Sequence, residues 1–431
     1  MSRPRRALAA AVSAAALVTT ACVTGDNTSG PPDGPGEFEG RGPITYVAGS
    51  DTSGMVPSII AEWNEANPDE PVTFVELPDE PDAQRQQMIQ NAQTQADTYT
   101  VLSLDVVWTA EFAAHRWIDE LPREHFDLDP MLDPVAETGE YRDRQFSVPH
   151  KTDGSLLYYR TDLMEAVGAE EPPTTWDEMT ALCEEVLELP EAEGMSCYAG
   201  QFEKYEGLTV NFSEAVHGAG GSIVGEDETV TVDSPEALAG LEFLVDGFES
   251  GLIPHESLTY QEEQGRQAFQ AGDLVFHRQW PYQYALANAE DGSSEVAGLF
   301  DTAPLPGLDG PGTSSLGGHN VALSSFAENK ATALDFMAFF TGQEIQERNM
   351  REHSLPPAYE HMYDDPELVE ESPYLPDLKE SVLNGIPRPR VVYYGDTTAA
   401  IQDEAYAAIS GEKSPERALT DLQTRLESTT L

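Results

Sequence analysis

The sequence predicts an α/β protein built as two lobes, each a mixed, mainly parallel sheet flanked by helices. Two observations lead there. Short β-branched or aromatic runs alternate with amphipathic segments of helical spacing, the order of a sheet wrapped by crossover helices. That alternation begins near residue 43 and returns at residues 155–168, and 431 residues suffice for two ordinary domains.

The chain opens with MSRPRRALAAAVSAAALVTTAC, residues 1–22, in which Arg3, Arg5 and Arg6 precede an Ala-rich apolar core from Ala7 to Val18. This is the pattern of an export signal, too short to persist as a membrane span. Small residues lead to Cys22, so a lipid anchor at Cys22 is expected. Thr19 stands where Leu or Val is usual, and a plain secretory signal is the alternative. Residues 23–42, rich in Gly, Pro, Ser, Asp and Asn with no apolar period, read as a flexible tether.

The first alternation follows. ITYVAGS (44–50) is a short strand run, and Met55, Ile59, Trp63 and Ala66 recur at helical spacing until Asn67-Pro68 ends the helix. VTFVELP (72–78) is a second strand, QRQQMIQNAQTQA (84–96) a polar helix, and VLSLDVVW (101–108) a third strand. In such sheets ligands bind beyond the carboxyl ends of strands. Ser50, Asp51 and Asp105 lie at two of those ends.

The second alternation starts with SLLYYRTDLMEAVG, a strand followed by a helix. A helix with a Thr cap lies in TTWDEMTALCEEVLEL (174–189), and another in 234–251 carries Leu238, Leu241, Val245 and Phe248 on one face before stopping at Gly251. Residues 263–280 read as helix, Gly-Asp turn and strand, and 319–325 and 330–342 as a further strand and helix.

Composition narrows the function. Acidic residues outnumber basic ones by 77 to 23, for a net charge of −54. No basic stripe is present, which excludes nucleic acid and anionic membrane faces as binding partners. Hydrophobic content of 40%, with sixteen Phe, sixteen Tyr and five Trp, supplies real cores despite that charge. Of three cysteines, Cys183 and Cys197 remain once Cys22 carries lipid, an even pair in an oxidising compartment. A bridge between them would close a loop of about 15 residues, contributing roughly 3 kcal/mol. CxxC and HExxH patterns are absent and the nine His are scattered, so neither a metal nor a cofactor is expected.

FHRQWPYQYALA (276–287) places Trp280, Tyr282 and Tyr284 at every second residue, which on an extended backbone turns all three rings to one face. Pro281 argues for a strand end or a bend there. Core filling and a ligand platform are the two readings.

The motifs AEWNEANPD, SLDVVWTAEFA, GSLLYYRTDLM, TTWDEM, YEGLTVNF, FQAGDLVFHRQWPYQYAL and SLGGHNVALS, in that order, resemble the landmarks of sugar-binding extracellular proteins of ABC importers. The trehalose/maltose-binding proteins are the nearest resemblance, and among them the lipoproteins of actinobacterial trehalose importers. The resemblance runs from about Pro43 to the C-terminus. It implies a periplasmic-binding-protein-like fold, with a hinge joining the lobes and sugar held in the cleft between them. It places the N-terminal lobe at 43–152 plus about 313–350, and the C-terminal lobe at 153–312 plus about 351–431. It implies a non-enzymatic monomer that captures a sugar, trehalose or another α-glucoside disaccharide. Lobe closure then presents that sugar to an ABC permease at the outer face of the cell membrane.

The resemblance also assigns residues. Trp280 and Tyr282 match a Trp-Pro-Tyr motif facing the sugar, while Tyr284 stays open between core and site. Asp105 and Asp153 match hydroxyl-binding acids, against a reading as exposed strand-end residues. Ser50 and Asp51 sit in a loop that varies in the family. Glu206 either accepts a hydroxyl or caps a helix. Gly317 and Gly318 permit close backbone approach. His319 departs from the Trp often found after the Gly pair. Arg388 matches an Arg-Pro able to fork to two hydroxyls, with Arg390 as the alternative. Two other functions compete: a secreted glycoside hydrolase, which needs two carboxylates across the scissile bond, and a binder of another oligosaccharide or polar solute.

Overall fold

A computed structural model describes residues 38–51, 54–225 and 229–429. The export signal, Cys22 and residues 23–37 of the tether lie outside the described residues.

The strands are β1 (Ile44–Ala48), β2 (Val72–Glu76), β3 (Val101–Asp105), β4 (Glu140–Tyr141), β5 (Arg144–Gln145), β6 (Ser147–Asp153), β7 (Leu156–Arg160), β8 (Ser196–Ala199), β9 (Leu274–Gln279), β10 (Phe300–Ala303), β11 (Ser315–Leu323) and β12 (Ile386–Pro387). One sheet runs β12-β11-β3-β1-β2, with β6 also paired to β11; the second runs β10-β7-β9-β8; β4 and β5 form a small ribbon. β1 is parallel to β2 and β3, and β11 is antiparallel to β3 and β6.

Both large sheets are mixed. The expectation of mainly parallel pairing is corrected in the second sheet, where β7 is antiparallel to both β9 and β10 and β8–β9 alone is parallel. Parallel neighbours need a long crossover. Helices connect β8 to β9, but β7 arrives directly from the first sheet and β10 leaves toward it, so neither neighbour of β7 is reached through its own crossover.

Local chemistry accounts for the helices. The helix Met55–Ala66 buries Val56, Ile59, Ile60 and Trp63, and the Trp63 ring meets Phe336 edge-on at 5.5 Å. Thr175 and Glu178 form a reciprocal capping box at the start of Trp176–Leu187. The helix Pro235–Ser250 stops at Gly251; Leu241, Val245 and Phe248 are buried as the periodicity predicts, while Leu238 is only partly covered. In Glu206–Gly218 every residue but the last is buried, because the helices Pro235–Ser250 and Tyr394–Ile409 pack on it. Cys183 and Cys197 are paired as a disulfide with Cα atoms 5.6 Å apart, tying Trp176–Leu187 to β8. Among the described residues no helix is long and apolar enough to cross a membrane.

The chain passes between the sheets through Gly154-Ser155, through residues 304–314, and again around β12. These passages put the ends of β3, β6, β9 and β11 near one another.

Candidate ligand-binding cleft

β11 assembles one wall of the cleft by register. His319 pairs with Asp105 on β3 and with Lys151 on β6, and Gly317 pairs with Asp153. Residues 164 to 214 positions apart thus become lateral neighbours. The opposite wall comes from the start of the helix Glu206–Gly218, the segment after β9, and Arg388 just beyond β12.

Two adjoining chambers result. The deeper one, about 230 Å³, is lined by Asp105, Asp153, Glu206, Trp280, Gly317 and Arg388 among others. The outer one, about 660 Å³, includes Ser50, Asp51, Arg266 and His353 in its lining. Gln84, Lys151, Tyr282, His319 and Leu355 line both chambers. All eleven candidate ligand residues therefore border this cleft: Ser50 and Asp51 the outer chamber only, Tyr282 and His319 both, and the remaining seven the deeper chamber only.

The ring cluster divides at the bend. β9 ends at Gln279, a turn carries Pro281, and a short helix runs Gln283–Ala287. The expectation that all three rings share one strand face is therefore corrected; the proline bend sends them apart. Trp280 and Tyr282 reach the cleft, and the Tyr282 hydroxyl donates to Glu263 at 2.9 Å. Tyr284 instead packs against Tyr374, ring centroids 4.4 Å apart, and against Phe300. A Cβ at Gly317 would stand 3.0 Å from the Trp280 ring, so a side chain there would push the ring from its seat. Gly318, at φ +117°, adopts backbone geometry that a side chain would strain.

Charge is concentrated in the deeper chamber. Arg388 is 2% exposed and donates from Nη2 to both carboxylate oxygens of Asp105, at 2.8 and 3.0 Å, and from Nη1 to Glu206. Its fork, expected to meet sugar hydroxyls, is already taken by protein carboxylates; its Nε has no partner among the described residues. Arg390 turns away to the carbonyls of Glu137 and Glu140. Glu206 does not cap its own helix. It accepts from Arg388, Tyr394 and Thr398, and burial pushes its carboxyl up to about 7 against the pull of Arg388. Burial also raises Asp153, with Lys151 opposing from 3.1 Å. His319 is held well below the usual histidine range by burial, so its ring is neutral, and its Nδ1 has no partner among the described residues.

The loop after β1 is fixed more locally. Ser50 Oγ donates to Glu76 at 2.8 Å, and Asp51 Oδ2 accepts from the Val56 N–H at 2.7 Å, at the start of the helix Met55–Ala66. Sequence reasoning missed Lys151, Trp108 and Glu262 in the deeper chamber. Lys151 had a usable signal, since it stands two residues before Asp153 on one strand and so shares its face. Trp108 and Glu262 gave none.

Residues 48–347 match the family model described as bacterial extracellular solute-binding protein. The chain belongs to that family. A curated relative from Deinococcus radiodurans, described as "Probable ABC transporter-binding protein", is 29% identical over 362 residues, covering 82% of this chain and 86% of the relative. Among solved structures, maltose-bound MalE3 of T. maritima superposes with a TM-score of 0.84 at 30% identity, covering 90% of this chain and 99% of that one. The GacH receptor of Streptomyces glaucescens, solved unliganded and with acarbose, gives 0.79 at 21% identity over 90% and 98% of the two chains. This solute-binding protein therefore has the two-lobe α/β fold of MalE-like binding proteins. The family serves ABC transporters from outside the cell, and its members bind solutes and are not enzymes.

Proposed function

We propose that this solute-binding protein captures a neutral sugar, trehalose or another α-glucoside disaccharide, and delivers it to an ABC permease by lobe closure. The observation that carries the reading is the deeper chamber, where the Trp280 ring shares walls with Asp105, Asp153 and the neutral His319. A sugar presents apolar C–H faces that suit an aromatic platform and hydroxyls that suit carboxylates and imidazole. A relative 30% identical to this chain was solved with maltose, which supports an α-glucoside. The Asp105–Arg388–Glu206 cluster acts in this reading by holding its carboxylates in place, so that hydroxyls meet groups already ordered.

Closure in this account swings a lobe of 43–152 plus about 313–350 against one of 153–312 plus about 351–431, about the passages between the sheets. The protein acts as a monomer tethered to the outer face of the membrane through lipid on Cys22, with the Cys183–Cys197 bond formed after export. A thermal-shift screen of the purified protein against disaccharides tests the ligand. A sugar at a hundred times its Kd stabilises by about 2.7 kcal/mol; no shift with any α-glucoside would reject the assignment.

A further inference from the structure

Beneath Trp280 lies a buried polar network that no sugar contact explains. Arg278, on β9, is 1% exposed, and its guanidinium carbon sits 4.1 Å from the centroid of the Trp280 ring. The guanidinium donates from Nε and Nη2 to the two oxygens of Glu214, each at 2.7 Å, from Nη1 to Gln201 at 2.8 Å, and from Nη2 to Ser155 Oγ. Glu214 Oε1 also accepts from Ser155 Oγ and from the Ser315 N–H at 3.0 Å. The Ser155 N–H in turn donates to Ser314 Oγ at 2.7 Å.

Ser155 lies in the first passage between the sheets, and Ser314 and Ser315 lie where the second passage enters β11. Glu214 belongs to the helix Glu206–Gly218, inside the core that also holds β9 residues Val275 and Phe276. We infer that Arg278 is a positioning residue, fixing the Trp280 ring relative to both passages through Glu214 and Ser155. Gly317, two residues beyond Ser315, abuts the same ring, so the ring is held from β9 and from β11 at once.

The physical consequence is coupling. Rotation of one lobe against the other changes backbone angles in the passages, and so moves Ser155 or Ser315 against Glu214. A buried arginine–carboxylate pair cannot lose partners cheaply, so Arg278 follows, and Trp280 with it. Ring position and lobe angle become one variable. The inference rests on the sugar reading only for what Trp280 touches, not for the coupling itself.

The test labels all five tryptophans with 5-fluorotryptophan, assigns Trp280 by Trp280→Phe, and compares the full protein with Ser155→Ala and Arg278→Lys by fluorine NMR. Ser155→Ala removes the hydroxyl that accepts from Arg278 and donates to Glu214, and leaves the ion pair; Arg278→Lys keeps the charge and loses the fork. The expected result without sugar is a shifted or broadened Trp280 resonance in both variants. Trp63, Trp117 and Trp176 stay in place, and Ser155→Ala stays folded, its melting temperature lowered only by the loss of its buried hydroxyl contacts. Maltose affinity of Ser155→Ala then falls roughly twofold to thirtyfold. An unmoved Trp280 resonance in the folded variants overturns the inference. Movement of all five resonances with a lowered melting temperature overturns it too, because the network is then structural only. A wild-type Trp280 resonance insensitive to maltose, trehalose and other disaccharides counts against the sugar reading, while the sugar-free spectra still decide the coupling.

Discussion

Arg388 grips Asp105 through both carboxylate oxygens, and in doing so joins the end of β3 to the segment that leaves β12. The same guanidinium holds Glu206 at the start of the helix Glu206–Gly218. One buried cation thus orders two of the chamber's carboxylates.

Removing that cation leaves two carboxylates without compensation. Arg388→Met should cost about 3–5 kcal/mol of stability, the penalty for breaking a buried ion pair from one side. Urea denaturation of the protein without sugar reads this directly. A loss under 1 kcal/mol would show that water, and not Arg388, balances the charge of Asp105 and Glu206.

Glu206 gives the fold a pH dependence of definite sign. Its folded value, pushed up to about 7 by burial, lies above the ordinary 4.5. Such a group contributes stability that is fully present below about pH 4.5 and is lost as pH rises through about 7. Asp82, raised to about 6 by burial, adds a slope of the same sign and repels Glu206, so the prediction is read as the difference in slope between the wild type and Glu206→Gln. Urea midpoints at about pH 5, 6 and 7 should fall more steeply in the wild type than in Glu206→Gln. Parallel slopes would contradict the assignment.

On the proposed lipid anchor at Cys22, Cys22→Ala should release the protein from the membrane into the medium. Cell fractionation with mass spectrometry of the N-terminus checks it. Retention of the variant on the membrane, together with an unlipidated wild-type N-terminus, would reject the anchor.

The Cys183–Cys197 bond should survive isolation and appear in peptide maps run without reduction. Replacing both cysteines with Ser should lower stability by roughly 3 kcal/mol, the value of closing a loop of about 15 residues. Free thiols in freshly exported protein would contradict the pairing.

Much of the fold was legible because its signals are local. The Thr175 cap, the Gly251 stop, and the helix–turn–strand ending at Gln279 are each written in a few adjacent residues. The antiparallel pairs of β7 were not legible, because strand direction in the second sheet depends on where the chain crosses from the first. The cleft lining was readable from the resemblance, but its charge pairing was not. That Arg388 is occupied by Asp105 and Glu206 follows from contacts 283 and 182 positions apart. The Arg278 network was hidden likewise, since alternation marks a strand residue as inward but names no partner. Trp280 and Tyr284 show the limit of periodicity: the same spacing, cut by the bend at Pro281, sends one ring to the cleft and the other to the core.

The central claim is that the Trp280 ring carries a sugar. Calorimetric titration of the wild type and Trp280→Ala with the disaccharide that stabilises the wild type most, paired with melting curves without sugar, tests it most directly. A lost platform of roughly 1.5–3 kcal/mol corresponds to at least about a tenfold fall in affinity. Because Trp280 is only partly buried and stands outside the core clusters, the melting temperature without sugar should change little. Unchanged affinity in a well-folded Trp280→Ala protein would contradict the account.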